Sequence, residues 1–246
     1  MNFQKKIALI TGAAVGIGRA TALELAKHGA DLILLDINFE KLEKLKEELK
    51  IYPSDALIYS CDVSDEKRVN EVVTDALSHF SKIDILVNNA ALWRCWASFL
   101  DTPVNDWKKF FDINVMGTVY VTRAVLPSMI EQRYGRIINV ASVAGVYGNA
   151  NMAHYSATKG AMISFTKALA KEVCENGILV NAVSPGTVSP SENDDIDYYQ
   201  PTPLSSYMGR SGTDRENANL ICFLASDGAS YISGQNIQID GCRKKI

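Results

Sequence analysis

A tyrosine and a lysine four positions apart, Tyr155 and Lys159, are the residues whose types and spacing most plainly suggest chemistry. On an α-helix, residues four apart lie on one face, so the phenol and the ammonium would be neighbours. A free phenol has a pKa of about 10, which is too high for a base at neutral pH. A nearby ammonium stabilises the phenolate and lowers that pKa. The pair is therefore either a solvated surface contact or a group that exchanges a proton with a bound molecule, and the rest of the chain decides between them.

Strand-like and helix-like segments alternate along the 246-residue chain. The helix-like segments include one long helix over residues 106–130 and another over 154–173. We predict strands at residues 6–11, 31–36, 56–63, 83–90, 135–142, 178–185 and 235–240. A strand followed by a helix, repeated, predicts the α/β class with a parallel sheet covered on both faces. We therefore expect one doubly wound domain, in which the irregular stretch 186–212 forms a lid-like loop.

Three glycines follow the first predicted strand and open the first helix: Gly12, Gly16 and Gly18. Glycine permits a tight turn and lets backbone N–H groups approach a pyrophosphate, to which a helix N-terminus adds partial positive charge. The spacing, G-x-x-x-G-x-G, differs from the G-x-G-x-x-G fingerprint. The strand before it and the helix after it still predict a dinucleotide site, with Val15 and Ile17 in the same turn.

Asp36 ends the second predicted strand and is expected to select the cofactor. A carboxylate there accepts hydrogen bonds from both hydroxyls of an adenosine ribose and repels a 2′-phosphate. Neither Ile37 beside it nor Val15 offers a positive charge for that phosphate, so we predict NAD (NADH) rather than NADP. Ligands of such sheets bind beyond the carboxyl ends of the strands. Further cofactor contacts are therefore expected after the third and fourth strands, at Asp62, Val63, Asn89 and Ala90.

The ordered motifs of the chain run from residue 11 to residue 241. They are "TGAAVGIG" at 11–18, Asp36, "DV" at 62–63, "NNA" at 88–90, Asn114, Ser142, "YSATK" at 155–159, "PG" at 185–186 and "DG" at 240–241. In this order and spacing the chain resembles the short-chain dehydrogenase/reductase family. The resemblance implies an oxidoreductase with a Rossmann-like fold, about seven parallel strands and a nicotinamide cofactor. We accordingly divide the single domain, residues 1–246, into a dinucleotide-binding half of about 1–90 and a catalytic, substrate-binding part over 91–246.

The resemblance also implies a catalytic set: Asn114, Ser142, Tyr155 and Lys159. In this scheme Tyr155 exchanges a proton with the substrate oxygen, which Ser142 holds by a hydrogen bond. Lys159 lowers the pKa of the phenol and binds the nicotinamide ribose, while Asn114 anchors a water that links Lys159 to solvent. Hydride passes directly between the substrate carbon and the nicotinamide. The residues expected to border the nicotinamide are Pro185, Gly186 and Val188.

Three positions depart from the family pattern. Ala91 stands where the family usually has a glycine, and Cys242 stands where a second glycine is common. Pro190 takes the place of a threonine that often binds the nicotinamide carboxamide. Since proline cannot make that contact, either Ser189 or Ser191 replaces it or the contact is lost.

Substrate-binding residues are expected in the less regular segments around the catalytic set. The predicted contacts are Trp93, Trp96, Ser142, Tyr147 and Tyr155. Aromatic walls suit an apolar or ring-containing secondary alcohol or ketone, such as a hydroxysteroid-like alcohol. The tryptophans fit the packing of a loop or a subunit contact equally well. His154 faces away from Tyr155 on the predicted helix and is interpreted as structural.

Two alternative functions remain open. The family also contains 3-oxoacyl-thioester reductases of fatty acid synthesis, mostly NADP-dependent, but Asp36 and the acidic stretch 191–197 argue against such a substrate. A nucleotide-binding regulatory protein without turnover is the alternative of another class, and the intact Tyr155 and Lys159 argue against it. The resemblance further implies a homotetramer with the helices over 106–130 and 155–174 as interfaces.

Charge and composition exclude several classes of partner. The 25 basic and 28 acidic residues are mixed, without a basic stripe, which argues against nucleic acid. We find no apolar run close to the roughly 18 residues of a membrane helix, so we predict no membrane partner. We also find no motif for a metal and predict no metal ion. The five cysteines are scattered, without a C-x-x-C motif, which is typical of reduced thiols in a cytoplasmic protein. The expected partner is a small-molecule alcohol or ketone substrate.

Overall fold

A computed structural model of the protein describes residues 1–94, 96–189 and 206–244. Its main strands are β1 (Ile7–Thr11), β2 (Asp31–Asp36), β3 (Ala56–Ser60), β4 (Ile85–Asn88), β5 (Gly135–Val140), β6 (Ile178–Pro185) and β9 (Asn236–Ile239). These strands form one sheet in the order β3-β2-β1-β4-β5-β6-β9, and every neighbouring pair is parallel. The predicted α/β fold with seven parallel strands is therefore confirmed, and the predicted strands overrun the observed ends by up to three residues.

Helices cover both faces of the sheet. They are α1 (Gly16–Lys27), α2 (Phe39–Leu49), α3 (Glu66–Phe80), α4 (Val104–Phe111), α5 (Gly117–Glu131), α6 (Val143–Tyr147), α7 (Ala153–Val173) and α8 (Asp214–Ala225). Alternate residues of a strand point to opposite faces. Ala8 and Ile10 of β1 thus join the core under α1, α2 and α8, whereas Ile7 and Leu9 join the core under α3, α5 and α7.

The helix predicted over residues 106–130 is continuous but not regular. Its middle, Asp112–Met116, is a turn of π-helix that joins α4 to α5. Pro127 lies inside α5, and the helix nevertheless continues to Glu131. Among the described residues, the span Val104–Glu131 is the one helix with the length and apolar composition to cross a membrane, which the sequence did not lead us to expect. Because α5 packs Val121 and Val125 into the core beneath the sheet, we interpret the span as a core helix.

The chain reverses direction across the sheet at β1. It runs outward from β1 to β2 and β3 and then returns to the other side of β1 as β4. In open α/β sheets such a reversal leaves a crevice at the carboxyl ends of the strands, where ligands bind. The ends of β1 and β4 therefore define where a site is expected, and β5 and β6 extend the same edge.

The stretch predicted as a lid is described at its two ends. Strand β7 (Val188–Ser189) pairs in parallel with β8 (Gly212–Thr213). Ser206 forms an antiparallel bridge with Arg243 near the C-terminus. The predictions that concern residues 190–205, including Pro190, and Cys95 lie outside the described residues.

Candidate functional site

The glycine turn between β1 and α1 has the conformation that the sequence predicts. Gly12 and Gly16 have φ angles of +62° and +57°, which favour glycine. A Cβ on Gly18 would lie 2.1 Å from the carbonyl oxygen of Gly12, so only glycine fits there. Val15, the N-cap residue of α1, caps no backbone N–H with its side chain. The first turn of α1 therefore offers free N–H groups and the positive end of a helix dipole to an anion.

A clip of hydrogen bonds fastens this turn to the end of β4. The N–H groups of Asn89 and Ala90 both donate to the hydroxyl of Thr11, each at 3.0 Å. The side-chain amide of Asn89 donates back to the carbonyls of Thr11 and Gly12 at 3.1 and 2.9 Å. Asn89 and Ala90, predicted as cofactor contacts, thus also shape the turn. The sequence reasoning missed Thr11, whose position between a buried strand and the first glycine was the available signal.

Asp36 lies at the end of β2 beside the glycine turn. One of its carboxylate oxygens accepts a hydrogen bond from the N–H of Ala14 at 3.0 Å, and the other accepts from the N–H of Asn38 at 2.9 Å. These bonds fix the carboxylate at the edge of the crevice. Ile37 next to it is 74% exposed, and Val15 is partly exposed as well.

Asp62 and Val63 follow β3 and reach the same edge of the sheet. The carboxylate of Asp62 accepts hydrogen bonds from the N–H and the hydroxyl of Ser64, at 2.9 and 2.7 Å. Val63 packs against α5, where a Cβ on Gly117 would lie 2.6 Å from the Val63 side chain. The structure thus brings both residues to the predicted edge and gives each a role in the turn after β3.

Ser142 and Tyr155 meet beyond the end of β5. Ser142 is the N-cap of α6, and its hydroxyl accepts a hydrogen bond from the N–H of Ala144 at 3.1 Å. Its side chain acts on Tyr155, in the first turn of α7, and lowers the pKa of the phenol. Gly145 allows this arrangement, because α6 and α7 approach so closely that a Cβ there would lie 2.5 Å from the backbone of Lys159.

Lys159 lies one turn after Tyr155 and is 2% exposed. Its Nζ donates to the carbonyl oxygen of Val140 at 2.7 Å and lies 3.5 Å from the sulfur of Met162. The same nitrogen is 5.8 Å from the centre of the Tyr155 ring. The sequence therefore placed the two side chains correctly beside each other, and it missed Val140 as the residue that holds the ammonium.

The expected lowering of the Tyr155 pKa by Lys159 is not what the structure shows. Burial raises the pKa of Tyr155 to about 12, and the hydrogen bond from Ser142 lowers it only in part. Burial also lowers the pKa of Lys159 to about 7, so a substantial fraction of the lysine is neutral at pH 7. Removal of water penalises the charged form of both groups and is the largest cause of both shifts.

Asn114 lies within the π-helical turn and is fully buried. Its side-chain amide forms a pair of hydrogen bonds with the backbone of Leu92, and its nitrogen also donates to the hydroxyl of Thr158 at 3.0 Å. Thr158 in turn donates to the carbonyl of Tyr155 at 2.8 Å. The amide thus ties α7 to the segment after β4. Its predicted part in a water chain to Lys159 stays a prediction, and Thr158 is a further residue that the sequence reasoning missed.

The aromatic residues predicted to bind the substrate are partly or mostly exposed. Trp93 and Trp96 are 40% and 69% exposed, and the guanidinium of Arg94 lies 5.2 Å from the Trp93 ring. Tyr147 is mostly exposed and donates its hydroxyl proton to Gln238 at 2.6 Å. The two roles predicted for the tryptophans, substrate contact and subunit contact, stay predictions.

The remaining predicted cofactor contacts lie at the end of β6. Pro185 is its last residue, and the N–H of Gly186 donates to the carbonyl of Ile239 at 3.0 Å. A Cβ on Gly186 would lie 2.9 Å from the Cα of Asp240, so the close approach to β9 requires glycine. Val188 begins β7. All of these residues lie at the carboxyl edge that also carries the glycine turn and the catalytic set.

The residues present fit a nicotinamide dinucleotide. The glycine turn is a cradle that a single Cβ would fill, and a fixed carboxylate stands at one of its sides. At the other end lie a tyrosine, a serine and a lysine that can hold or move a proton. Among the described residues, no cluster of three or more His, Cys, Asp or Glu side chains could hold a metal ion.

A family model described as short chain dehydrogenase matches residues 6–197. The chain belongs to the short-chain dehydrogenase family. It is 41% identical to the 3-oxoacyl-[acyl-carrier-protein] reductase FabG of Thermotoga maritima over 98% of each chain. An NAD+-bound xylitol dehydrogenase structure is 37% identical, with a TM-score of 0.91, over 98% of this chain and 100% of the other. A levodione reductase structure is 33% identical, with a TM-score of 0.89, over 98% of each chain.

Membership of the short-chain dehydrogenase family establishes that the protein is an oxidoreductase with a Rossmann-like nucleotide-binding fold. The predicted family and the prediction of an oxidoreductase are thereby confirmed. The names of the curated relatives favour the 3-oxoacyl-thioester alternative over the hydroxysteroid-like substrate that we put first. The predicted preference for NAD over NADP stays a prediction.

Proposed function

We propose that the protein is an NAD(H)-dependent ketoreductase that interconverts a ketone and a secondary alcohol, with 3-oxoacyl thioesters as its first candidate substrates. The substrate class rests on the likeness to FabG of Thermotoga maritima over nearly the whole of both chains. The cofactor rests on Asp36, and the reaction rests on Asn114, Ser142, Tyr155 and Lys159.

Asp36 is the observation that carries the cofactor proposal. Its carboxylate is fixed by two backbone N–H groups at the edge of the glycine turn, where the adenosine ribose of a dinucleotide would lie. A 2′-phosphate placed there would meet a negative charge at close range. Arg19, the cation that directly follows Gly18 on α1, is ion-paired with Glu48 on α2. The NAD+-bound xylitol dehydrogenase structure is a relative with this cofactor in its name.

The side chains of the site divide the proton chemistry between them. When bound, the nicotinamide accepts or donates the hydride. Ser142 holds the substrate oxygen, and Tyr155 gives that oxygen a proton during reduction or takes one during oxidation. Lys159, partly neutral because burial lowers its pKa to about 7, accepts and releases protons near neutral pH behind Tyr155. Asn114 and Thr158 keep the first turn of α7 in place.

A second class of substrate, an apolar or ring-containing alcohol, is favoured by three exposed aromatic side chains, Trp93, Trp96 and Tyr147. The tryptophans follow Leu92, which Asn114 holds, and Tyr147 ends α6, which Ser142 caps. Exposed aromatic rings bind an aliphatic ring as well as an acyl chain. Xylitol and levodione belong in the same test, because relatives named after them share this fold.

We expect the protein to act as a cytoplasmic homotetramer without nucleic acid or membrane partners. The cysteines that the structure describes, Cys61, Cys174, Cys222 and Cys242, are all free thiols, which is consistent with a reducing compartment. The tetramer is implied by family membership.

The test is a rate measurement at the absorbance band of the reduced nicotinamide. Each substrate is tested with NAD(H) and with NADP(H). The substrates are acyl thioesters on coenzyme A and on acyl carrier protein, cyclic ketones, levodione and xylitol. We expect turnover of a 3-oxoacyl thioester with NADH, loss of at least about 100-fold in Tyr155→Phe, and a preference for NADH over NADPH. Turnover only with a cyclic or polyol substrate would replace 3-oxoacyl thioesters by the second class of substrate. Turnover that survives in Tyr155→Phe would refute the proposed chemistry.

The cofactor proposal has its own variant. Asp36→Ser should lower the ratio of kcat/KM for NADH to that for NADPH by at least about tenfold, because the carboxylate no longer repels a 2′-phosphate. Asp62→Asn is the matched control, a carboxylate at the end of the neighbouring strand that should leave the ratio unchanged. A ratio insensitive to Asp36→Ser would contradict the assignment of Asp36.

A further inference from the structure

His154, the residue directly before Tyr155, is a buried imidazole without a hydrogen-bond partner. It is 0% exposed, and neither ring nitrogen has a partner among the residues that the structure describes. Buried polar atoms without partners are rare enough in folded proteins to call for a physical reason. The sequence alone suggested only a structural role for this residue.

Aromatic rings of α4 enclose this imidazole. The ring of Phe110 is 4.3 Å from the His154 ring, centre to centre, at an interplanar angle of 90°. Trp107 meets the same imidazole at 5.9 Å and 66°. Both contacts have the edge-to-face geometry that aromatic pairs prefer. His154 therefore packs as an aromatic ring, and its nitrogens contribute no hydrogen bond to the fold.

Phe110 also touches the catalytic tyrosine. Its ring centre lies 6.5 Å from that of Tyr155, at an interplanar angle of 84°. Phe110 is only 2% exposed, so it has little room to move. One phenylalanine thus supports two consecutive side chains of α7, and displacement of the His154 ring would displace the support of Tyr155.

Protonation would disturb this packing. Burial lowers the pKa of His154, and the carboxylate of Asp106 on α4 opposes that shift more weakly. Tyr155 and Lys159 are the other titratable groups nearby on α7, and Lys159 is held by Val140 on the far side. An imidazolium without an acceptor is costly in such a setting, so the neutral ring is the form that fits between Trp107 and Phe110.

We propose that neutral His154, held between Trp107 and Phe110, is a positioning residue that fixes the Tyr155 ring for proton transfer and releases it when protonated. The proposal rests on the proposed function, since it needs Tyr155 to transfer the proton. Misplacement of a reacting group by about 1 Å costs about 100-fold in rate, so a loosened tyrosine has a large kinetic effect. The imidazole itself takes no part in the chemistry.

The test uses two variants of His154 in the NAD-linked assay. His154→Ala should lower kcat about 10- to 100-fold with the KM of the cofactor within about twofold of wild type, because the phenol loses its support. His154→Phe restores an aromatic ring and should keep kcat within about threefold of wild type at pH 8. Because burial lowers the pKa of His154 from the ordinary histidine value of about 6.5, His154→Phe should lose less activity than wild type only at pH values well below that.

A matched control separates positioning from general destabilisation. Phe110→Leu should lower kcat, whereas Phe3→Leu should lower the unfolding temperature to a similar extent and leave kcat unchanged. Phe3 is equally buried and also meets a histidine ring edge-on, His28 at 6.4 Å, but it lies before β1 at the opposite edge of the sheet.

Several outcomes would overturn the inference. For the His154 variants, these are an unchanged kcat in His154→Ala, a loss of activity in His154→Phe at every pH, or the same loss of activity at low pH in His154→Phe and wild type. For the control, it is a loss of kcat in Phe3→Leu as large as that in Phe110→Leu. Tyr155→Phe is measured in parallel. If that variant stays active, the proposed function fails, whereas an inactive Tyr155→Phe beside a fully active His154→Ala defeats only the role of His154.

Discussion

Burial sets the charge of the two central residues of the site, Lys159 and Tyr155. The lysine has its pKa lowered from 10.5 to about 7, and the tyrosine has its pKa raised from 10.0 to about 12. Both shifts favour the neutral forms, since the folded protein withholds water from the charged ones. The family scheme places an ammonium beside a phenolate. In the folded chain this doubly charged pair has a high free energy, and a bound cofactor would have to stabilise the pair.

A first prediction concerns the stability of Lys159→Met. The unfolded chain binds more protons than the folded chain between about pH 7 and 10.5, so the free energy of unfolding of the wild type rises with pH through that window. Methionine removes the buried charge but leaves the carbonyl of Val140 without its donor. We expect Lys159→Met to be more stable than wild type by about 1–3 kcal/mol at pH 7, and catalytically inactive.

Urea unfolding at pH 7, 8 and 9 checks this prediction. The advantage of the variant should shrink as the pH rises, because folding of the wild type releases the lysine proton, and that release costs less free energy at higher pH. Measurements stay below pH 10, where Tyr155 begins to contribute with the opposite sign. Parallel curves for the two proteins would contradict the lowered pKa of Lys159.

At the level of elements, the contact between α6 and α7 assembles the catalytic set. Ser142 caps α6 and Tyr155 opens α7, so the distance between these helices decides whether the two side chains meet. Gly145 controls that distance: a Cβ there would lie 2.5 Å from the carbonyl carbon of Lys159 and 2.6 Å from the nitrogen of Gly160.

The second prediction compares two glycine-to-alanine substitutions at this contact. Gly145→Ala should cost about 1–3 kcal/mol in stability and lower kcat, because the helices must separate to admit the methyl group. Gly160→Ala is the matched control, since its Cβ would meet only the carbonyl oxygen of Gly145, at 3.5 Å. That variant should gain up to about 1 kcal/mol from helix propensity and keep its activity.

Chemical unfolding and steady-state kinetics on both variants test the idea. Equal kinetic behaviour of Gly145→Ala and wild type would show that the separation of α6 and α7 does not govern the site.

The π-helical turn shows why element boundaries alone do not locate the site. It rotates the helix between α4 and α5 and places Asn114 inward, where its amide pairs with Leu92 and Thr158. Turns of this kind occur often at functional sites. The periodicity of residues 106–130 gave no sign of it, since one extra residue in a turn barely alters the apolar pattern.

For the whole molecule, the assembly expected from the family is testable through its exposed apolar side chains. On the long helical span, Val104, Phe111 and Met116 are 70%, 37% and 36% exposed. Side chains of this kind are typical of a surface that a partner subunit covers. We predict that the span forms an interface between copies of the chain.

Light scattering of the purified protein checks this third prediction. The wild type should have four times the mass of one chain, and Phe111→Glu should dissociate into smaller species. Phe39→Glu is the control, a phenylalanine of similar exposure, 41%, on α2 at the other face of the sheet. A wild-type monomer, or dissociation by both variants alike, would contradict the assigned interface.

The sequence by itself determined the alternation of strands and helices, the glycine turn, the carboxylate at the end of β2 and the Tyr155–Lys159 pair. Those features are local: strand burial, turn conformation and helix spacing depend on residues that are close along the chain. For that reason the seven strands and the edge that carries the site could be predicted, whereas the order of the strands in the sheet came from the structure.

Only the tertiary structure decided how these parts contact one another. Three contacts join residues that are distant in the chain or on different elements. These are the hydrogen bond between Thr11 and Asn89, the hydrogen bond from Lys159 to Val140, and the aromatic contacts that enclose His154. Desolvation is likewise a property of the packed interior, so the sequence predicted an activated phenol where the folded chain holds a neutral one. Periodicity specifies which face of an element is buried, whereas packing specifies what that face meets.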